Sequence, residues 1–465
     1  MKSALLVLFP SVALLGLSGC GWHSLSGHAA LPLPASWKNA AGFPVASPTK
    51  DLARWWNRFD DAALTRLISD ALAKSPNVAS ASARVREAQA RRNGANAALF
   101  PDVSGAAAVN TNSSKRNGIG WSPDTAYSAG LTATWEADLF GQNRSLLAAA
   151  AAEVGASEEN ARSVQASLAA EIAIAYTNLR VGEAGLKVLF STVKTREETS
   201  KLATWRNRAG QADMLEPSQA ISSLEQARAA IPAVEQSISQ NRNLLALLSG
   251  QNPGSLDGLL ASGKKLIPNP ARSLAVGIPA DTLRQRPDVR VAGYQLLAAA
   301  ANVRAADAER FPKLNLTGAL AVSAQSPAKL FNPETASAGI IAGLTGPIFD
   351  AGRIRATIDA QNAVEEQAFQ NYRSTVLTAL SEVEDSLIAC RRTTERQETL
   401  EKAVAAARQA AELAQQRYQA GVTDILTVLD AQRTLLGLED SLLTVRANRA
   451  TAYVQLYKAL GGGWS

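Results

Sequence analysis

The side chains in this sequence best suited to acid–base chemistry are carboxylates: Glu382 with Asp385 three positions on, and the adjacent Glu365 and Glu366. A working acid–base pair needs surroundings that push two pKa values apart, usually with a histidine, a metal or a tight glycine loop at hand. These four sit among Ala, Arg and Thr with none of those partners nearby, and read as solvated helix faces. His23 and His28 are the only histidines and both lie near the N-terminus, so a histidine-based zinc or copper site is not expected. Cys390 falls inside a long helix-forming run, where it reads as a small packed residue. No enzyme activity and no cofactor is expected. Two other groupings are more informative. Arg208-Ala209-Gly210-Gln211-Ala212-Asp213 and Gln419-Ala420-Gly421-Val422-Thr423-Asp424 both set Gly and Asp three apart between helical runs. Glycine permits the left-handed backbone that ends one helix, and aspartate caps the next. Asp424 and Asp430 then stand near the start of the following helix, where carboxylates suit the helix dipole. Each reads as a solvated cap or as a partner of Arg417 or Arg433.

The elements that must position these turns are unusually long. Residues 353–420 contain neither glycine nor proline, 68 positions rich in Ala, Glu, Gln, Arg and Leu. One helix over that stretch would be roughly 100 Å long. Phe369, Tyr372, Val376, Leu380, Val383 and Leu387 mark one buried stripe along it. The net charge of +6 is spread along such stretches rather than gathered into a basic patch with aromatic or groove-reading elements, so no nucleic-acid partner is expected.

The chain is internally duplicated. Pro76 and Pro287, Phe100-Pro101 and Phe311-Pro312, Gly141 and Gly352, Gly210 and Gly421, Asp213 and Asp424, and Gly250 and Gly461 are all 211 positions apart. Residues 72–250 and 283–461 are thus two copies of one unit, joined by a Gly/Pro-rich linker at about 251–282. Each copy opens with a helix (Asn77–Ala98; Asp288–Ala308) that ends before Phe-Pro, since proline cannot continue it. Strands follow at about 102–113 and 125–137 in the first copy, and at about 313–323 and 337–349 in the second. Long helices come next, at about 143–208 and 213–248, then at about 353–420 and 424–459. Gly155, Gly182 and Gly185 are the only interruptions in the first long helix, and Pro232 predicts a kink in its return.

Tyr127, Ala129, Leu131, Ala133 and Trp135 alternate with Ser128, Gly130, Thr132 and Thr134, and Ala338, Ile340, Ala342 and Leu344 keep the same parity in the duplicate. Leu314, Leu316, Leu320 and Val322 alternate likewise. Apolar-out, polar-in segments of about ten residues are the pattern of a transmembrane barrel. Four strands cannot close alone, because an open edge in lipid leaves backbone groups unpaired. Strands from other chains must complete the closure, and three chains would give twelve.

At the N-terminus, Lys2 precedes an apolar run from Ala4 to Leu17, the layout of a secretory signal peptide (residues 1–19). The run ends in Leu17-Ser18-Gly19-Cys20, which resembles the lipobox of bacterial lipoproteins. The resemblance implies a lipid attached to Cys20. Gly21 rather than Asp at the next position then favours the outer membrane. Residues 20–54, with Pro32, Pro34, Pro44 and Pro48, read as a lipidated strap. Trp55-Trp56 and Phe59 open a short helix that ends near Ala73. The first repeat with its flanks spans 55–282 and the second 283–465.

Several motifs resemble the TolC family of outer-membrane efflux channels, in particular the lipoprotein branch of tripartite RND-type systems (NodT-type). They include Trp55–Phe59, Trp135-Glu136-Ala137-Asp138-Leu139-Phe140-Gly141, Arg286-Pro287-Asp288-Val289-Arg290 and Pro347–Gly352. Tyr418–Gly421, Val428-Leu429-Asp430-Ala431-Gln432-Arg433 and Leu456–Trp464 continue the match. The resemblance implies a mainly α fold with a small β part: duplicated helical hairpins forming a trimeric periplasmic tunnel, and four strands per chain in a twelve-stranded barrel. It implies a passive exit duct for small molecules, supplied by an inner-membrane RND-type pump through a periplasmic adaptor. Adaptor docking falls on the turns at Arg208, Gly210, Asp213, Gly421 and Asp424, and a tunnel constriction on Asp424 and Asp430. Thr427 stands where some relatives carry a second Asp. A type I protein-secretion channel and a non-channel coiled-coil lipoprotein are the rival readings.

Overall fold

The computed structural model describes residues 33–40, 50–116, 119–262, 266–270 and 279–464. Cys20, the signal peptide and most of the expected strap lie outside the described residues, as do His23 and His28.

Each repeat is built of one helix of 22 residues, two strands and two long helices. The first contains α2 (Pro76–Ala97), β1 (Asp102–Arg116), β2 (Ile119–Ala137), α3 (Gln142–Arg208) and α4 (Leu215–Leu248). The second contains α7 (Pro287–Ala308), β3 (Lys313–Ala324), β4 (Ala336–Thr345), α8 (Arg353–Gln419) and α9 (Ile425–Ala459). Both long helices run for 67 residues, about 100 Å. Glycines 155, 182 and 185 do not interrupt α3, and α4 passes through Pro232 unbroken. At Gly155 the helix lies so close to α7 that a Cβ would stand 2.7 Å from the Tyr294 ring. The single helix expected over 55–73 is two pieces. A 3-10 stretch, Lys50–Phe59, ends at Asp60, whose φ of 48° breaks the run, and α1 (Ala62–Lys74) starts afresh under an Asp61 cap. Among the described residues, the linker carries α5 (Asp257–Ser262), and α6 (Pro279–Gln285) runs from its end into the second repeat. β2 starts earlier than expected, because its pairing with β1 continues to Arg116↔Ile119. β4 stops earlier than 349, since Gly346 packs on Pro312 and Pro347 has no N–H to pair.

The four strands form one antiparallel sheet in the order β1-β2-β3-β4. Its register joins the two repeats through β2 and β3: Leu131 lies opposite both Gly105 and Leu320, and Leu320 opposite Ala338. Side chains directly opposite share a face. Val103, Val109, Tyr127, Leu131, Trp135, Leu316, Leu320, Ile340 and Leu344 therefore lie on one continuous apolar face, with Ser104, Thr132, Thr134, Thr317 and Ser337 on the other. No described layer covers the apolar side: Ile340 is 85% exposed, Leu344 66% and Leu131 54%. A half-buried soluble hairpin would have hidden that face; a lipid-facing barrel wall would not.

The main core lies where the two repeats meet, around Trp55, Trp56, Phe59, Ile172, Tyr176, Val383, Leu387, Val454 and Tyr457. Trp55 stacks on Tyr457 at 5.4 Å between ring centroids. The predicted α8 stripe is the buried one, with Val376, Val383 and Leu387 fully covered and Phe369, Tyr372 and Leu380 half-covered. Cys390 is buried in the same core, and burial pushes its thiol up to about 12, which makes it an inert packing group. Arg286 ties three elements together, donating to Asp288, to Glu382 at 2.6 Å and to the Ala459 carbonyl. Glu382 is thus an ion-pair partner rather than a bare solvated carboxylate. Glu384 accepts the Lys38 and Asn39 amides at 2.6 and 3.1 Å, fixing the described end of the strap to α8.

Candidate functional site at the helical tip

α3 packs against both α4 and α9, and α8 against α9, so the hairpin turns α3–α4 and α8–α9 lie at the same end of the long helices. Gly210 and Gly421 hold nearly the same backbone, φ of 71° and 72°, as their equal place in the repeat requires. After Gly421, Asp424 is the N-cap of α9. Its Oδ1 accepts the Thr427 amide at 2.9 Å and the Thr427 hydroxyl at 2.7 Å, and these two donors hold the carboxyl below the usual carboxylate range. Thr427 thus serves as the donor to the cap. Asp213 behaves differently from the sequence expectation. It accepts the Leu215 amide at 2.9 Å but stands one residue ahead of the N-cap, Met214, because α4 starts one residue later than its counterpart α9, set back by 211, would place it. Arg208, Gly210, Asp213, Gly421 and Asp424 are all exposed, so the turns present a polar, accessible end. Trp205, Met214, Leu215 and Val422 add exposed apolar surface to it.

Asp430 lies on the first turns of α9, exposed, and pairs with Arg433 one turn along the same helix. Of the two partners considered from sequence, Arg433 is the one it meets. Asp424 and Asp430 are not brought together with each other within one chain by any direct bond among the described residues. Any ring they form requires other copies.

Sequence reasoning missed the contacts that clasp the two hairpins. Tyr418, fully buried, donates its hydroxyl to Glu216 Oε2 on α4 at 2.9 Å. The Arg206 guanidinium of α3 lies 4.7 Å from the Tyr418 ring centre. Burial and the Glu216 carboxylate push the Tyr418 hydroxyl up to about 12, so it remains a donor throughout the physiological range. The clasp rests on a small apolar cluster of Ala203, Ala220, Ala414, Ile425 and Val428. Tyr418 stood in the Tyr-Gln-Ala-Gly motif, yet nothing in the sequence indicated a partner 202 positions away.

A family model described as outer membrane efflux protein matches residues 67–251 and 278–462, and both ends of the second match lie 211 positions after the first (278 − 67 and 462 − 251). The chain is 32% identical to the pyoverdine export outer membrane protein OpmQ of Pseudomonas aeruginosa, over 97% of this chain and 96% of that protein. It is 33% identical to the solvent efflux pump outer membrane protein SrpC of Pseudomonas putida, over 98% of both chains. Among solved structures, the outer-membrane channel OprN superposes with a TM-score of 0.87 at 30% identity, covering 94% of this chain and 98% of that one. The transmembrane channel protein CusC superposes with a TM-score of 0.79 at 27% identity, over 94% and 99%. The uncovered apolar sheet, the duplicated hairpins and these matches agree along nearly the whole length. The chain belongs to the outer membrane efflux protein family, as an outer-membrane subunit of a trimeric, TolC-like efflux channel.

Proposed function

We propose that three copies close into a duct whose strands form the twelve-stranded barrel and whose helices form the tunnel, with the exposed Gly–Asp turns as the docking end for a periplasmic adaptor. An inner-membrane RND-type pump supplies the cargo and the energy. The observation that carries this reading is the pairing of an uncovered apolar sheet at one end of 67-residue helices with two equivalent polar turns at the other. The adaptor meets Arg208, Gly210 and Asp213 on one turn and Gly421 and Asp424 on the other. A lipid on Cys20 adds a second hold on the outer membrane. Small organic molecules, the class named for the relatives, are the cargo, with selection left to the pump. No cofactor takes part in conduction.

Asp430 is the constriction residue in this reading, and Asp424 its neighbour at the mouth. A threefold axis turns one exposed carboxylate into three, which attract cations at a narrow point. In planar bilayers, Asp430→Asn is expected to raise single-channel conductance or weaken block by divalent cations. Recordings identical to the unmodified channel, for this variant and for Asp424→Asn, would rule out the ring while leaving the duct intact.

A further inference from the structure

α2 and α7 hold the same place in the two repeats but are covered unequally. α7 lies between α3 and α8, whereas α2 packs on α3 alone among the long helices. Eleven residues of α7 are buried, against one of α2, Ala81. Helices in proteins are held mainly by packing, so a 22-residue helix covered this little needs a second neighbour. Part of α8 is bare as well, with Leu377 56% exposed.

The α7–α3 joint inside the chain shows what fits there. Tyr294 of α7 lies over Gly155 of α3, where a Cβ would stand 2.7 Å from the ring. Arg290 of α7 pairs at 2.6 Å with Glu159 of α3, which is 2% exposed. Taking 211 from the α7 positions and adding it to the α3 positions gives Ala83 and Ala79 on α2, and Glu366 and Gln370 on α8. The sizes are inverted. Within the chain the ring on the short helix meets a glycine, and here the long side chain on α8 meets an alanine. Seven residues are close to two helical turns, so the antiparallel pair next sets Ala90 opposite Asp359.

Charge agrees with size. α2 carries Arg84, Arg86, Arg91 and Arg92 against Glu87, while residues 356–370 of α8 carry Asp359, Glu365 and Glu366 and no cation. Arg86 lies three residues after Ala83 and four before Ala90, on the flank of that alanine strip and level with the carboxylates opposite. Arg86, Glu366 and Asp359 are all exposed, with no ion-pair partner among the described residues. We propose that α2 of one copy packs on α8 of the next as α7 packs on α3, and that Arg86 pairs with the next copy's Glu366 to select like copies for the ring. Charges that flank an apolar helix seam set partner choice and orientation in this way. This rests on the closure of copies proposed above.

Charge exchange tests the pair, read as heat-modifiable trimer in the outer membrane. Arg86→Glu and Glu366→Arg should each lower trimer at least tenfold, because each sets like charges together at every seam. The chain carrying both substitutions should recover at least half of the native amount. Native trimer levels in the single variants, or a double variant no better than they are, overturn the pair. Ala83→Cys combined with Glu366→Cys gives a second reading on sites that are both exposed in one chain. A short bis-maleimide should join copies into dimer and trimer bands only when both cysteines are present, and absence of joining overturns the seam. Bilayer conductance of the unmodified trimer reads the duct separately, so a conducting channel that fails these tests leaves the duct standing.

Discussion

Gly250 carries two constraints at once. Its φ is +66°, and a Cβ placed there would stand 2.7 Å from the Lys74 carbonyl oxygen, a backbone atom that cannot turn aside. Gly461, its counterpart, has a φ of +81° and would meet the Gln285 carbonyl carbon at 3.2 Å. Each glycine ends a return helix against the start of its own repeat, next to Pro76 or Pro287. Gly210 has a similar φ of +71° but nothing within 4 Å of its Cβ position. The comparison separates backbone strain from crowding. Gly210→Ala is expected to cost about 1–2 kcal/mol from the left-handed backbone alone, whereas Gly250→Ala adds overpacking of about 1–3 kcal/mol. Denaturant midpoints of the purified trimers measure both. Equal shifts would mean that the Lys74 contact relaxes freely. The offset of 211 made this glycine pair legible in the sequence. What the glycines touch was not, because that depends on the packing of one helix end on another.

At the scale of elements, the two hairpins are tied to each other near the tip by few groups. Tyr418 bonds Glu216 at 2.9 Å across the two hairpins, Arg206 covers its ring, and five small or aliphatic residues fill in beneath. A hydrogen bond to a charged group contributes about 1.5–3 kcal/mol. Tyr418→Phe keeps the ring packing and the Arg206 contact but removes that bond. The open fraction at the tip is therefore expected to rise about tenfold or more, read as longer or more frequent open states in single-channel recordings. Unchanged gating would place the closing contacts elsewhere, in the Thr199–Gln415–Gln432 network or between chains. Helix type and length were legible because runs without Gly or Pro and the three-to-four apolar spacing are local signals. Strand parity was legible for the same reason. The clasp was not: Tyr418, Arg206 and Glu216 come from three helices, and only tertiary packing brings them together. Asp213 shows a smaller failure of the same kind. The repeat equated it with Asp424, yet Met214 takes the N-cap of α4, so two aspartates at equal positions do different work.

For the whole molecule, the sheet decides between a duct and a spacer. Its free edges, β1 and β4, and its uncovered apolar face leave one chain incomplete in any solvent. Uncovered Leu377, Leu413 and Leu247 on the long helices point the same way, toward neighbouring copies. Closure over three chains pairs the edges, and lipid covers the face. The two faces should then respond oppositely to the same charge. Leu320, in the middle of β3 and 54% exposed, lies on the apolar face. Leu320→Arg puts a cation into hydrocarbon at a cost of about 2–4 kcal/mol near the midplane, once in each copy. It is expected to deplete heat-modifiable trimer from the outer membrane. Thr132 pairs with Ala319, one position along the same strands, and faces the lumen. Thr132→Arg should assemble normally and shift reversal potentials toward anions, because a charged ring in an aqueous pore acts on ions rather than on lipid. If the two variants exchanged phenotypes, the apolar face would line the interior, and the sheet would have to close with its other face toward lipid.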